Sequence, residues 1–589
     1  MKQFFKYVLA TVVGVFISSI LVGLLFIGLV TVVVSSLGSS SEPTVSANSV
    51  LHITLDHQIT EKTVPSPFDD ISIPGTPNTR SLGLNDIVAR IKTAKTDNNI
   101  KGIYLNVSTV NAGFATVRAI RNALIDFKES GKFIISYSDV MTQKAYYLSS
   151  VANEVYISPV GSVDFRGLSS SVMFMKDALD KLGVEMQVVK VGTYKSAVEP
   201  FILNEMSAAN RLQVNAYLNS LYDGFVSDIA TARSLDEQAV RRVANEYLIQ
   251  FPEDAVKQKF VDSLIYRDEL LVKLKNKVGI DQKKDLSSIS LLDYRKSSSV
   301  SGTSGAGRIA VLYAFGDIVD GNTSGDEQIG GESLSRELRQ LREDDKVKAI
   351  VLRVNSPGGS ALASDLIWRE VSLAKKAKPV IVSMGDYAAS GGYYISAAAD
   401  SIFADAGTLT GSIGVFGLIP NLQNLFNNKL GLHFDVVKTG PYADVSIDRP
   451  LTAEERSIVQ GGVNRIYQQF MQRVADGRGL TVAQVDSIGQ GRVWTGSQAI
   501  ELGLVDRLGT LDDAVRSAAK MAKLDSYKIS EYPRTKDPFE SLFKTSKEKV
   551  KMWFLKDELG DHVKYLNDMK RVMQNTGIQA RLPYEIEIY

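Results

Sequence analysis

At 589 residues the chain is too long for one ordinary core, so two or three domains are expected. Lys and Arg number 67 against 66 Asp and Glu, a balance that offers no electrostatic case for a nucleic-acid partner. Cysteine is absent, which excludes thiol catalysis, disulfides and cysteine metal sites, and the four histidines (His52, His57, His433, His562) have no metal-ligand spacing.

The N-terminus carries Lys2 and Lys6, then no charge until Glu42, and residues 8–34 are almost wholly apolar. That exceeds the ~20 residues a helix needs to cross a bilayer. No A-x-A cleavage site follows, so the segment reads as an uncleaved signal anchor. The preceding lysines put the tail in the cytoplasm and the rest of the chain across the membrane. Tail, anchor and a Ser/Gly-rich linker together occupy residues 1–48.

Strand-like and helix-like patterns then alternate: a strand at 50–55, a helix at 84–94, a strand at 102–105. This is the pattern of an α/β fold with parallel strands. A first domain over 49–296 ends at the low-complexity stretch SSSVSGTSGAG, residues 297–307, and the pattern restarts over 308–525. The restart is a repeat. Lys101–Val107 lines up with Lys348–Val354, Tyr146–Ser149 with Tyr393–Ser396, and Val191–Lys195 with Thr439–Ala443. A C-terminal extension, 526–589, has a helical pattern from Pro538 to Met573 that carries Trp553, Phe554 and Leu555 beside several lysines; subunit packing is expected of it, with membrane contact the alternative.

The chemistry gathers in the second copy. Residues 405–417 read DAGTLTGSIGVFG and hold Ser412 between glycines, while Asn355-Ser356-Pro357-Gly358-Gly359-Ser360 follows an apolar strand. A strand ending in a glycine turn leaves N–H groups outward, and a serine beside them outlines an acyl-transfer site. An isolated GSIG is also an ordinary loop. The first copy has Thr109-Val110-Asn111-Ala112 and Thr142-Gln143-Lys144-Ala145 where the second has Ser356-Pro357-Gly358-Gly359 and Ala389-Ser390-Gly391-Gly392, so the glycine pairs belong to one copy only. A serine needs a base, and Lys, Asp or Glu remain as candidates. Lys195 sits among small and apolar residues just after a strand-like run, where burial would lower its pKa, and its repeat counterpart is Ala443. As a bare residue it is equally a surface lysine.

Taken together, NSPGG, ASGGYY, TGSIGVFG, GTYKSAVEPF and VWTGSQAIELGLVD resemble the signal peptide peptidase A (protease IV) family of the Clp protease/crotonase superfamily, over nearly the whole chain. The resemblance implies two tandem crotonase-like domains behind a transmembrane helix, with Ser412 as nucleophile and Lys195 as general base at their junction. It implies an oxyanion hole from Gly358 or Gly359 with Ile413, while Gly391 and Gly392 let a helix start close by. It implies no metal or nucleotide cofactor. The expected partners are signal peptides and other extended apolar peptides, the cytoplasmic membrane with the site on its periplasmic face, and three further copies in a homotetramer. A crotonase-type acyl-CoA enzyme and a catalytically silent membrane scaffold are the competing readings. Ser162, aligned with Ser412, faces no lysine and no double glycine, and is expected to be a turn residue.

Overall fold

A computed structural model describes residues 45–63, 82–294, 307–323, 328–534 and 577–582, together with scattered helical positions between residues 3 and 25. Much of the apolar stretch 8–34 and of the two expected linkers, and the whole of 538–573, lies outside these residues. Among the described residues no helix is long and apolar enough to cross a membrane.

The alternation read from the sequence is an α/β fold used twice. In the first copy β1 (Ser49–Ile53), β2 (Ile100–Leu105), β3 (Phe133–Met141) and β4 (Glu154–Val163) pair in parallel, and β5 (Glu185–Val191) leaves this sheet. Short strands β6 (Ser263–Leu264) and β7 (Ser288–Ser290) close its edges, giving the order β6-β4-β3-β2-β1-β7. The second copy repeats the plan with β8 (Gly307–Phe315), β9 (Asp317–Val319), β10 (Gln328–Gly330), β11 (Val347–Ser356), β12 (Gly358–Ser360) and β13 (Val380–Ala389). It continues through β14 (Ser401–Ala404), β15 (Leu409–Gly411), β16 (Val415–Asn421), β17 (Val493–Thr495), β18 (Arg507–Leu508) and β19 (Tyr527–Tyr532).

Strand β11 shows why the sheet forms. Every residue of VKAIVLRVNS except Lys348 is buried, as a strand covered on both faces requires. Ile350, Leu352 and Val354 pack with Leu338 and Ile367 on one side, while Ala349 and Val351 meet Val515 and Ala518 on the other.

The repeat breaks at β5. Strand β5 of the first copy pairs antiparallel with β16 of the second, from Val191 opposite Val415 to Glu185 opposite Asn421. The residues that correspond to β5 in the second copy, near 433–438, form no strand and are exposed. Within one chain there is no third copy to supply the matching edge. A third sheet results, in the order β10-β9-β12-β20-β16-β5, where β20 is Gly577–Arg581.

Buried ions also tie the copies together. Glu61 of the first copy accepts from Arg353 Nε (2.9 Å) and from Asn355 Nδ2 (2.8 Å), and Asp386 accepts from the Thr116 amide (2.9 Å) and hydroxyl (2.6 Å). Arg353 Nη2 donates to Glu61 as well, at 3.2 Å, and Nη1 donates to Ser383 Oγ and the Met384 carbonyl. Replacing Glu61 with Ala leaves a buried guanidinium without its counter-charge and should cost about 3–5 kcal/mol in urea unfolding. Lys176→Ala, which breaks only the exposed pair with Asp180, should cost ~0.5 kcal/mol or less in the same assay.

Candidate active site

Strand β5 delivers Lys195 to the second copy. After the strand the chain turns at Gly192, with φ of 105°, where a Cβ would stand 2.5 Å from the Gln490 carbonyl oxygen. The Tyr194 amide then donates to that same oxygen at 2.8 Å. Gly491 is equally constrained, since a Cβ there would lie 2.7 Å from the Lys195 backbone. The lysine side chain is completely buried. Its ammonium position donates to Ser390 Oγ at 2.9 Å, Ser412 Oγ at 3.0 Å and the Ser412 carbonyl at 3.3 Å. Burial alone pushes the Lys195 pKa well below its ordinary value, with no carboxylate among the causes. The amine is therefore poised to stand neutral and to accept a proton.

The two serines come from different turns. Ser412 follows β15 with φ of 49°, its amide bound to the Arg492 carbonyl at 2.7 Å and its hydroxyl donating to the Gly491 carbonyl at 3.3 Å. Ser390 stands between the end of β13 and the short helix Gly391–Ser396, with φ of 53° and ψ of −112°. Its amide donates to the Gly411 carbonyl at 2.8 Å. Positive φ at a serine is a strained conformation that only a tightly built surrounding maintains. Ser390 is the residue that sequence reasoning passed over, since ASGG was read only for its glycines. The signal was present: an apolar strand, a serine and two small residues opening a helix is the strand–turn–helix of a nucleophile elbow.

The glycine turn lies beside Ser390. A Cβ on Gly358 would stand 2.8 Å from the Gly391 nitrogen, so the two backbones are in direct contact. Gly391 and Gly392 admit the helix as expected, because a Cβ on either would meet Ser364 Oγ at 2.7 Å or the Ser356 carbonyl at 2.6 Å. Ser356 Oγ receives the Gly358 amide at 3.2 Å and steadies the turn. Gly359 is held in the ladder with Ile318 of β9 and Ala580 of β20. Ile413, by contrast, is a core residue whose carbonyl receives the Gly491 amide.

The site thus joins a buried amine, two hydroxyls and a glycine-lined strand end, which is equipment for acyl transfer. Comparison with known proteins bears on which acyl transfer. The family described as Peptidase family S49 matches residues 126–281 and 372–525, over half the chain. The chain belongs to peptidase family S49. This S49 serine peptidase is 41% identical to Protease 4 of Salmonella typhi over 461 residues, covering 76% of this chain and 74% of that one. It is 35% identical to Protease 4 of Haemophilus influenzae, covering 86% and 85% of the two chains. It is 34% identical to the chloroplastic serine protease SPPA of Arabidopsis thaliana, covering 82% and 70%. The Clp protease family matches residues 318–404, the part of the S49 peptidase that carries β9 to β14. With a serine peptidase established, the acyl-CoA and scaffold readings fall away.

Among the described residues, the first copy of the S49 peptidase has no corresponding equipment. Gln143 takes the position of Ser390, and its amide is fully used by the Gly167 carbonyl and the amides of Arg166 and Gly167, each at 2.9 Å. Ser162 is exposed near the end of β4, with Asp164 paired to Arg166 close by. Ser162→Ala should keep nearly full peptide turnover, and titration with a serine-reactive probe should count one reactive serine per chain; a second labelled serine at Ser162 would contradict this.

Proposed function

We propose that this S49 peptidase is a membrane-anchored endopeptidase that degrades cleaved signal peptides and other extended apolar peptides through a Ser-Lys dyad. The observation that carries the reading is the buried Lys195 amine, within hydrogen-bond reach of two serines beside a glycine turn. Neutral Lys195 takes a serine proton as Oγ attacks a peptide carbonyl, returns it to the leaving amine, and then serves again as base while water cleaves the acyl-enzyme.

We assign the attack to Ser390. It sits next to the contact of Gly358 and Gly391, and the amide following it is the first of a helix, an N–H without an intrahelical acceptor that can face a developing oxyanion. Ser412 then serves to hold the amine from its other side. The reading with Ser412 as nucleophile and Ile413 as oxyanion donor has in its favour the 3.0 Å bond to Lys195, but it leaves the glycine turn to the neighbouring serine. A fluorophosphonate probe followed by peptide mapping separates the two: label on Ser390 is expected, and label on Ser412 would overturn the assignment.

The anchor is supported by the apolar stretch 8–34 behind Lys2 and Lys6. The broken repeat supports a head-to-tail homo-oligomer such as the tetramer. Residues 433–438 correspond to β5, and residues 165–171, which correspond to β16, contain no extended strand, so each is free to pair with the other on a neighbouring copy.

Lys195→Ala should lower turnover by about four orders of magnitude, and Lys195→Ala combined with Ser390→Ala should be scarcely worse than either alone, since such groups fail as a unit. The depressed lysine pKa sets the pH dependence. The protonated amine is inactive, so kcat/KM should rise with pH through that pKa and stay high into the alkaline range. A profile that peaks in acid would point instead to a carboxylate base.

A further inference from the structure

Lys195 sits in a turn, and the aim of its amine depends on what holds the residues on either side of it. Gln213, buried on the long helix Ala208–Arg233, holds both. Its Nε2 donates to the Tyr194 carbonyl at 3.0 Å, to Ser196 Oγ at 2.9 Å and to Asn210 Oδ1 at 3.1 Å, and its Oε1 accepts from the Val493 amide at 3.2 Å. Asn210 is tied down in turn, donating to Glu199 at 2.9 Å. Around these bonds the helix face is apolar, with Val214, Tyr217 and Leu221 packed on Ala389, Leu409 and Val493. An amide buried in such a face is costly unless both its ends are met. Here both meet backbone beside the site.

Each of those backbone groups is half of a planar peptide unit. The Tyr194 carbonyl shares its plane with the Lys195 amide, so the first unit carries the base. The Val493 amide shares its plane with the Arg492 carbonyl, which receives the Ser412 amide at 2.7 Å. Val493 also stands opposite Gly411 in the ladder of β15 and β17, and the Gly411 carbonyl receives the Ser390 amide at 2.8 Å. One side-chain amide from the first copy therefore joins the peptide unit of the lysine to the backbone that holds both serines.

We propose that Gln213 is a positioning residue for the reaction: it sets where the Lys195 amine points and keeps it out of water, without touching substrate itself. The inference rests on the dyad reading above. A neutral amide suits the place because it supplies donors and an acceptor at once and adds no charge beside the buried amine. A hydrocarbon of similar length would lose the bonds to Tyr194, Ser196 and Val493 together. The turn would relax, water would reach the amine, and the lysine would return toward its ordinary protonation. A carboxylate would keep the acceptor, lose the donors and set a negative charge against the lysine turn. A second bond joins the same helix to β17 away from that turn: the hydroxyls of Ser220 and Thr495 lie 2.8 Å apart, about two helical turns further along.

The test measures hydrolysis of an external apolar peptide across pH by the full-length chain in detergent, beside thermal unfolding of each preparation. In Gln213→Met, kcat should fall by about 100-fold with KM within about twofold of wild type. The midpoint of the rise in kcat/KM should move to higher pH in the same variant. Gln213→Glu, which keeps the shape, should move it further, and it carries the test if the methionine variant does not fold. Ser220→Ala should unfold at a lower temperature yet keep the wild-type midpoint and nearly full kcat. A midpoint that stays at the wild-type pH in both Gln213 variants, or a loss of kcat no greater than in Ser220→Ala, overturns the positioning role and leaves the dyad standing. If Lys195→Ala keeps wild-type turnover, or the wild-type profile has no rising limb, the dyad reading itself fails.

Discussion

Everything at this site depends on one unfavourable act, the removal of a lysine side chain from water without a carboxylate to meet it. Burial disfavours an ammonium in that position relative to the amine, and that penalty is what would let the group serve as the base of the proposed dyad. The surroundings are arranged to enforce the burial. Strand β5 crosses to the second copy, Gly192 and Gly491 let the two backbones close on Lys195, and the partners offered are hydroxyls and a carbonyl, which satisfy hydrogen bonds without restoring the charge. An aspartate in place of either serine would return the lysine to its ordinary protonated state.

The rigidity this requires comes from the joint between copies. Arg353 and Asn355 lie on β11 just before the glycine turn, and both are held by Glu61 from the other copy. Asp386 lies on β13 four residues before Ser390 and is held by Thr116. The two strands that present the turn and the elbow are thus clamped by the domain that brings the lysine. Such clamping also sustains positive φ at Ser390 and Ser412, conformations that relaxed loops would abandon.

Much of this was legible in the sequence. The repeat, the restriction of glycine pairs to one copy and the one-sided lysine all follow from residue types whose backbone or charge is costly to misplace. Ser390 was missed for a physical reason: a serine beside two glycines serves equally well as packing, and only the distance to Lys195 distinguishes the roles. The pairing of β5 with β16 was hidden because strand partners are decided by which edges remain open in space, which an alignment of the copies does not reveal. The short β20 was hidden for a similar reason. Its alternating GIQAR pattern follows a long helical-looking stretch and gains its strand character from the slot that receives it.

The order of the parts along the chain carries a consequence of its own. Lys195 precedes Ser390 by 195 positions, and the loop that seals both, at Gly491 and Arg492, comes a hundred residues later still. Contacts so distant in sequence form late and slowly. A chain still emerging from the ribosome therefore holds a hydroxyl without a base, or a lysine still in water and fully charged, for most of its synthesis. With the proposed dyad, the destructive chemistry would appear only when the last third of the polypeptide has arrived and folded, so that the timing of synthesis would do what a removable pro-segment does in other proteases.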